Sequence, residues 1–220
     1  MAIFAIIALF AIVGIGLFFK QPAVKGKCGE LMVAYCLKRF LDKNNYRIIN
    51  NVLIPDGLGG TTQIDHVVLS PYGIFVVETK NMKGWIFGNR NSRMWMQQIF
   101  RCKNQFQNPF FQNYKHIVSL AAITGLPENV FVHVVVFLGD CELKNRAELP
   151  EALVCNASEL KNFIGKFQTP VLDGFALIDA VSLIDNARLA NSRSNKCKHI
   201  EYLKSIHQAQ VERPDPPESM

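Results

Sequence analysis

Apolar residues recur along this chain with two different periods, and each period predicts a different element. In residues 26–43, GKCGELMVAYCLKRFLDK, the apolar positions have helical spacing and two asparagines follow, which predicts a helix. Residues 46–55 and 129–140 are rich in β-branched and aromatic side chains, which favours strands. Residues 63–80, QIDHVVLSPYGIFVVETK, predict two apolar strands joined by a Ser-Pro-Tyr-Gly turn.

The remaining segments complete a mixed α/β pattern without internal repeats. We expect a Gly-rich connection at 56–63, a helical segment over 92–122 interrupted at Pro109, a strand at 151–156, a helix from Ser158 to Phe167 and another over 172–190. This order predicts a domain at 25–140 that the strand and helices of 141–190 complete. Residues 191–220 are expected to form a polar tail, partly disordered.

The first residues of the chain have a different composition. Residues 2–19 carry no charge and would span roughly 27 Å as a helix, close to the thickness of a bilayer core. A cleaved signal peptide is the alternative, but it calls for a basic start and a small-residue cleavage site, and neither is clear here. Lys20, Lys25 and Lys27 follow the apolar run. We therefore expect a single-pass membrane anchor with the rest of the chain in the cytoplasm.

Composition excludes several classes of site. The 220 residues include six cysteines without a CxxC pair, which indicates reduced thiols and no zinc site. The sequence contains no GxSxG elbow, no Walker-type phosphate loop and no HExxH helix, so those hydrolase and nucleotide-binding chemistries are set aside.

Ionisable groups interrupt the two strands of 63–80, and hairpin geometry predicts where they lie. Whether the loop has two or four residues, the residue numbers of two directly opposed positions add up to 143. Asp65 is therefore expected to face Glu78, and Gln63 to face Lys80. Strand alternation then places these four polar residues on one face. The other face is expected to carry Ile64, His66, Phe75, Val77 and Thr79.

Two opposed carboxylates destabilise a sheet unless a cation compensates them. Mg²⁺ does this well, because it takes carboxylate oxygens and retains waters and substrate phosphate as its other ligands. Lys80, two residues beyond Glu78, is near enough to orient an attacking water or to meet charge on a phosphoryl oxygen. The pattern thus suits a phosphodiesterase. An ordinary cluster at the strand ends, paired with Lys80, is the alternative.

At these residues the chain resembles the nuclease-related domain (NERD) family of the PD-(D/E)XK nuclease superfamily. The resemblance covers roughly residues 25–140 and is carried by Gly29-Glu30, by QIDHVVLSPYGIFVVETKN at 63–81, by Gly84-Trp85 and by NPFFQ at 108–112. It implies a restriction-endonuclease-like core, a mixed sheet flanked by helices. It also implies a Mg²⁺ or Mn²⁺ site at Asp65 and Glu78, with Lys80 as the catalytic lysine.

Further residues have weaker assignments. Glu30 corresponds to the acid on the superfamily's first helix, although the helix macrodipole favours an acid there without any chemistry. Gln63 is expected to position Lys80 or the scissile phosphate, unless it is only a polar residue at a strand end. The Thr79 backbone carbonyl is expected to be a further metal ligand, and His66 is interpreted as structural.

Between Thr79 and Asn129 the chain is basic, with Glu128 as its one acid, and aromatic residues are interleaved with the charges. Basic groups neutralise phosphates and aromatic faces stack on bases, so nucleic acid is the expected partner, and DNA is the expected kind of nucleic acid. A net charge of +6 also suits an anionic membrane surface. The residues assigned to nucleic-acid binding are Lys83, Arg90, Arg93, Arg101, Lys103 and Gln112, with His116 on the same helix face as Gln112.

These observations leave three functions open. The first is a membrane-anchored, metal-dependent nuclease. The second is a tethered nucleic-acid-binding module with little or no catalysis, although binding alone does not require Asp65, Glu78 and Lys80 together. The third is a scaffold whose basic stretch engages anionic lipid.

Overall fold

The computed structural model describes residues 22–190 and 192–211. Its helices are α1 (Pro22–Phe40), α2 (Pro109–Thr124), α3 (Ala157–Gly165), α4 (Gly174–Ala187) and α5 (Arg193–Val211). Its strands are β1 (Arg47–Pro55), β2 (Thr61–Ser70), β3 (Gly73–Asn81), β4 (Gly84–Phe87), β5 (Met94–Ile99), β6 (Cys102–Gln107), β7 (Phe131–Leu138), β8 (Cys141–Leu143) and β9 (Leu153–Val154). Short 3₁₀ turns lie at Glu128–Val130 and Arg146–Glu148.

The larger sheet has the strand order β1-β2-β3-β7-β9. Its first three strands are antiparallel, whereas β3, β7 and β9 run parallel, so the predicted mixed α/β fold is confirmed. The hairpin register is also confirmed, because Ser70 pairs with Gly73 and His66 pairs with Val77. The Ser70 hydroxyl closes the turn by donating to the Gly73 carbonyl oxygen at 3.0 Å.

Helices cover both faces of this sheet because its central strands are apolar on both sides. Phe75 and Val77 pack with α1 and α3, while Ile74 and Val76 pack with α2 and α4. The helix residues buried on the first face include Val33, Leu37, Leu160 and Ile164; those on the second include Ile117, Leu120, Ala180 and Ile184.

The smaller sheet, of order β6-β5-β4-β8, packs on the larger one through Trp95, which is fully buried and stacks on Phe137 at 6.0 Å between ring centroids. Its presence corrects the expectation of a helix over 92–122. Residues 94–107 form the antiparallel strands β5 and β6, since Trp95 anchors one side of this hairpin in the core. Pro109 does not interrupt a helix but begins α2, where its missing N–H costs nothing.

Several other boundaries differ from the predictions. Asn156, rather than Ser158, caps α3, because its side-chain oxygen accepts from Glu159 N at 2.9 Å. The strand expected at 151–156 is limited to Leu153–Val154. The helix expected over 172–190 is α4, which Asp173 caps.

The segment expected to be a polar tail, 191–220, contains helix α5, and this is a further correction. Two contacts fix the helix on the domain. The Tyr202 hydroxyl donates to Asp56 Oδ2 at 2.5 Å, and the His199 ring lies 2.8 Å from the Thr61 hydroxyl. The apolar segment 2–19 and residues 212–220 lie outside the described residues. Within 22–190 and 192–211, no helix has the length and hydrophobicity that a membrane crossing requires.

Candidate functional site

Glu78 and Lys80 lie on one face of β3, near its carboxyl end. The Lys80 ammonium is 2.8 Å from Glu78 Oε1 and donates to Gln112 Oε1 at 2.9 Å. The Glu78 side chain is 4% exposed and that of Lys80 is 21% exposed, so the pair is largely removed from water. Strand alternation brings the two side chains together, and α2 supplies the amide that fixes the lysine.

His116 of α2 completes the surroundings of Glu78. Its Nε2 is 3.3 Å from Glu78 Oε2, and its Nδ1 is 2.7 Å from the Thr62 hydroxyl. Since an ionised carboxylate only accepts, Nε2 donates here, and a neutral ring accepts from Thr62 at Nδ1. Burial acts to raise the pKa of Glu78, but the Lys80 charge and the His116 hydrogen bond outweigh it and lower the pKa to about 2. Glu78 is therefore held ionised.

Helix α2 is locked in place by two asparagines. Asn108 accepts from Phe110 N at 2.9 Å as the N-cap, and its amide donates to Ser92 O at 2.8 Å in the loop before β5. One turn further, the buried Asn113 amide donates to Val76 O at 2.7 Å. These contacts hold Gln112 and His116 over the end of β3, which gives the segment NPFFQ a structural role.

Asp65 lies where the ladder between β2 and β3 ends. The last pair in that ladder is His66 with Val77, and the Asp65 Oδ2 then accepts from Thr79 N at 2.8 Å. Asp65 thus contacts the backbone next to Glu78 rather than pairing with Glu78 across the ladder. Burial and the Glu78 charge raise the pKa of Asp65 well above its usual value, against the hydrogen bond from Thr79.

The strict alternation expected along β2 is wrong at this point. Ile64 packs with Ile74 and Val76, not with Phe75 and Val77 as predicted, and Val67 lies on the same side as Ile64. The change of face occurs at Asp65. On the neighbouring strand Asn51 has a left-handed backbone, with φ of 54°, between the paired residues Asn50 and Val52.

Gln63 and His66 have partners on β1. The Gln63 amide donates to Asn51 Oδ1 at 3.0 Å and Gln63 pairs with Leu53, while the ladder between β2 and β3 ends at His66, so Gln63 is not paired with Lys80 in that ladder. His66 is buried and its Nδ1 lies 2.8 Å from Asn50 Oδ1. Burial lowers the pKa of His66 to about 4, despite the Glu78 charge, so the ring is neutral at pH 7.

Glu30 approaches this site because α1 packs closely on the end of β3. A Cβ at Gly29 would lie 2.8 Å from the Cβ of Asn81, and the Asn81 amide donates to Lys25 O at 2.8 Å. Glu30, Gln63, Asp65 and His66 line a cavity of about 420 Å³, which His199 and Ile200 of α5 also border. Burial and the Glu78 charge raise the pKa of Glu30.

A profile of the nuclease-related domain matches residues 25–138. The chain belongs to the nuclease-related domain (NERD) family. It is 38% identical over 185 residues to an uncharacterized protein of Bacillus anthracis, an alignment that covers 83% of this chain and 85% of the relative. No solved structure matches it significantly. Membership of this family indicates a nuclease-related function with nucleic acid as the partner class.

Most of the basic residues assigned to nucleic-acid binding lie on the smaller sheet of the NERD domain and its loops. Arg90 and Arg93 are exposed in the loop between β4 and β5, Arg101 is exposed in the turn after β5, and Lys103 is exposed on β6. Lys83 precedes β4 and pairs with Asp140 at 3.5 Å. Gln112 differs from them, because it contacts Lys80 directly.

The acids of this NERD site have the chemistry that a divalent cation requires. Within the described ranges, no three His, Cys, Asp or Glu side chains are gathered closely enough to hold an ion. Nevertheless, burial and, after it, the charge of Glu78 raise the pKa of both Glu30 and Asp65, so Glu78 acts electrostatically on the other two carboxylates. The Thr79 hydroxyl oxygen and His66 Nε2 are buried here without a hydrogen-bond partner among residues 22–190 and 192–211. A cation would compensate these acids.

Sequence reasoning missed several residues that build this NERD site. Asn113, Thr62 and Asn81 each join two elements through a buried or half-buried hydrogen bond. The sequence predicted only that His116 shares a helix face with Gln112, whereas its ring contacts Glu78. The signal available in the sequence was that Gln112, Asn113 and His116 are polar on a helix whose other positions are largely apolar.

Proposed function

We propose that this NERD protein is a metal-dependent nuclease that hydrolyses phosphodiester bonds in nucleic acid, on a restriction-endonuclease-like PD-(D/E)XK core. The observation that carries the proposal is the position of Lys80. Its ammonium is fixed between Glu78 and Gln112 at the end of β3. Asp65 contacts the backbone N–H of Thr79, the residue between Glu78 and Lys80 in the sequence. An ammonium that is largely removed from water and held near the carboxylates of Glu78 and Asp65 suits phosphoryl chemistry.

The residues that would hold Mg²⁺ or Mn²⁺ are Asp65, Glu78 and the Thr79 carbonyl, with Glu30 near the ion or its water. When bound, such an ion polarises the phosphoryl group and lowers the pKa of a bound water. The chain itself keeps Glu78 ionised through Lys80 and His116. It also holds Asp65 in a fixed orientation through the Thr79 N–H.

Lys80 has the central role among the chain's own groups. Its ammonium donates in fixed directions because Gln112 and Glu78 already occupy two of its three donors. No other acceptor among residues 22–190 and 192–211 binds the third donor, which would orient an attacking water or meet charge on a phosphoryl oxygen. The Gln63 amide is bound to Asn51, so we assign Gln63 to positioning the cavity wall beside Asp65.

For the remaining partners, we propose DNA as the substrate and the exposed residues Lys83, Arg90, Arg93, Arg101 and Lys103 as contacts to its phosphates. We also propose that residues 2–19 anchor the protein in a membrane and that the NERD domain faces the cytoplasm, because the lysines follow the apolar segment.

A second candidate, a nucleic-acid-binding module with little or no catalysis, is favoured by one observation. Glu78 is already satisfied by Lys80 and His116, and a ligand must compete with both of them. A module that only binds nucleic acid has no need to release Glu78.

Cleavage assays separate the two candidates. The full-length protein would be incubated with labelled single-stranded, duplex and branched DNA and with RNA, in Mg²⁺, in Mn²⁺ and in a chelator. The nuclease proposal requires metal-dependent products that Glu78→Gln fails to make. Tight binding without products in either metal would support the binding module instead.

A further inference from the structure

A second cavity, of about 480 Å³, lies between the C-terminal half of α1 and the start of β1. Lys38, Lys43 and Arg47 line it and are exposed, and no acid is among its lining residues. Tyr35 and Tyr46 also border it, with Tyr35 68% exposed. The nearby Asp42 uses its carboxylate to accept from Asn44 N and from the Asn45 amide, both at 3.1 Å. This cavity therefore has the charge that attracts an anion.

The basic cavity adjoins the cavity that contains Asp65. Ala34 and Asn50 line both of them, so the two cavities are neighbours along α1 and β1, and we call the pair the groove. A further cation lies at the junction, because the Arg188 guanidinium donates to Asn50 O at 2.8 Å and to Asn51 O at 2.9 Å. The groove thus changes from basic at one end to acidic at the other.

We propose that this groove binds the phosphate backbone of a nucleic-acid strand and leads it to Asp65. The inference rests on the nuclease function proposed above and adds a binding site to it. Lys38, Lys43 and Arg47 neutralise consecutive phosphates, and Tyr35 offers an exposed ring on which a base stacks. None of these residues belongs to the basic stretch between Thr79 and Asn129.

An anionic lipid surface is the other partner that such cations attract. The groove favours nucleic acid because its basic part shares Ala34 and Asn50 with the cavity of Glu30 and Asp65, so a strand bound there would extend toward the proposed reaction site. A lipid headgroup held by the same cations would gain no binding free energy from the neighbouring acidic cavity. The proposal therefore commits to nucleic acid.

The test compares two triple variants of the full-length protein in neutral detergent. In the groove variant, Lys38, Lys43 and Arg47 are each replaced by glutamine. In the matched control, the same replacement is made at Lys144, Arg146 and Lys166, which pair with surface acids and line neither cavity. Binding of labelled single-stranded and duplex DNA is measured by fluorescence anisotropy in a chelator, so that cleavage plays no part.

For single-stranded DNA, each phosphate contact contributes about 0.7 to the slope of log affinity against log salt concentration. The loss of three contacts should therefore reduce the magnitude of this slope by about 2 in the groove variant. Its affinity at 0.1 M salt should fall about 100-fold, and that of the control far less. Tyr35→Ala should weaken single-strand binding about tenfold without changing the slope. Circular dichroism checks that each variant is folded.

Equal DNA affinities for the groove and control variants would overturn the proposal. So would a groove variant that keeps its DNA affinity but loses sedimentation with anionic vesicles, which would assign the groove to lipid. An absence of any DNA binding by the unmodified protein would also overturn it. If the groove variant alone loses binding while the unmodified protein cleaves nothing with either metal, the groove stands and the nuclease proposal fails.

Discussion

Asp65 and Thr79 are joined by a hydrogen bond at the point where β2 leaves β3: the Asp65 carboxylate accepts from the Thr79 N–H at 2.8 Å. The Asp65 side chain thereby accepts the hydrogen bond of a backbone N–H that a neighbouring strand would otherwise accept. The carboxylate is kept beside Glu78 although the charge of Glu78 opposes its ionisation. This contact explains how an unfavourable pair of acids is maintained in the fold.

Asp65→Asn is expected to separate the structural role of this residue from its role in metal binding. The asparagine side-chain oxygen still accepts from Thr79 N, but the negative charge that Glu78 repels is gone. The free energy of unfolding should therefore be unchanged or higher. Mn²⁺ binding, measured by calorimetry, should be lost. Asp65→Ala, which leaves the N–H unpaired, should lose about 1–3 kcal/mol in denaturant unfolding. Unimpaired Mn²⁺ binding by Asp65→Asn would remove Asp65 from the proposed metal site.

His116→Phe should damage both stability and cleavage. The change removes the donor to Glu78 Oε2 and the acceptor of the Thr62 hydroxyl, at a cost of about 1–3 kcal/mol, while Lys80 still pairs with Glu78 Oε1. His116→Gln retains a donor that can reach Glu78, and it should recover part of both losses. Thermal unfolding and cleavage rates measure these effects. Wild-type stability in His116→Phe would show that the histidine does not support Glu78.

Gly29→Ala should reduce activity although it touches no ionisable group. The added Cβ would lie 2.8 Å from the Cβ of Asn81, so α1 must move away from β3 and carry Glu30 with it. Overpacking of this kind costs about 1–3 kcal/mol. Gly26→Ala is the matched control, since no atom of the described part of the chain lies within 4 Å of a Cβ built there. Equal cleavage rates for the two variants would show that the packing of α1 is not needed.

Helix α5 should remain docked into strongly alkaline solution. The hydrogen bond to Asp56, with burial and the Asp56 charge, raises the pKa of Tyr202 to about 12. A pKa raised in the folded state means that the contribution to stability is present below the ordinary tyrosine pKa of about 10 and is lost as pH rises through about 12. The difference in tyrosinate absorbance between wild type and Tyr202→Phe isolates this titration. A midpoint near 10 would mean that Tyr202 does not bind Asp56.

The parts of the fold that depend on local patterns were predictable. The Ser70–Gly73 turn sets the register of β2 and β3, and two-residue spacing puts Glu78 beside Lys80. The hairpin of β5 and β6 was missed because its outer strand is polar and exposed almost throughout, which leaves little alternation to detect. Its fold depends on the burial of Trp95, a tertiary effect.

Two features of the site were beyond sequence reasoning for a different reason. The change of face at Asp65 accompanies the left-handed backbone of Asn51 on the neighbouring strand. The alternation of apolar and polar residues in the sequence does not predict such a change. The contact between His116 and Glu78 joins residues 38 apart in the chain, and it exists only because Asn108 and Asn113 orient α2 over the sheet.

The central claim is that Lys80 takes part in phosphodiester cleavage. The most direct measurement is the single-turnover cleavage rate of labelled DNA in Mn²⁺ by the wild-type protein and by Lys80→Met, which keeps the length of the side chain but removes the ammonium. The account predicts metal-dependent cleavage that falls by about 100-fold or more in the variant, while DNA affinity stays within a few-fold. Equal rates for the two proteins, or no cleavage by the wild type, would contradict it.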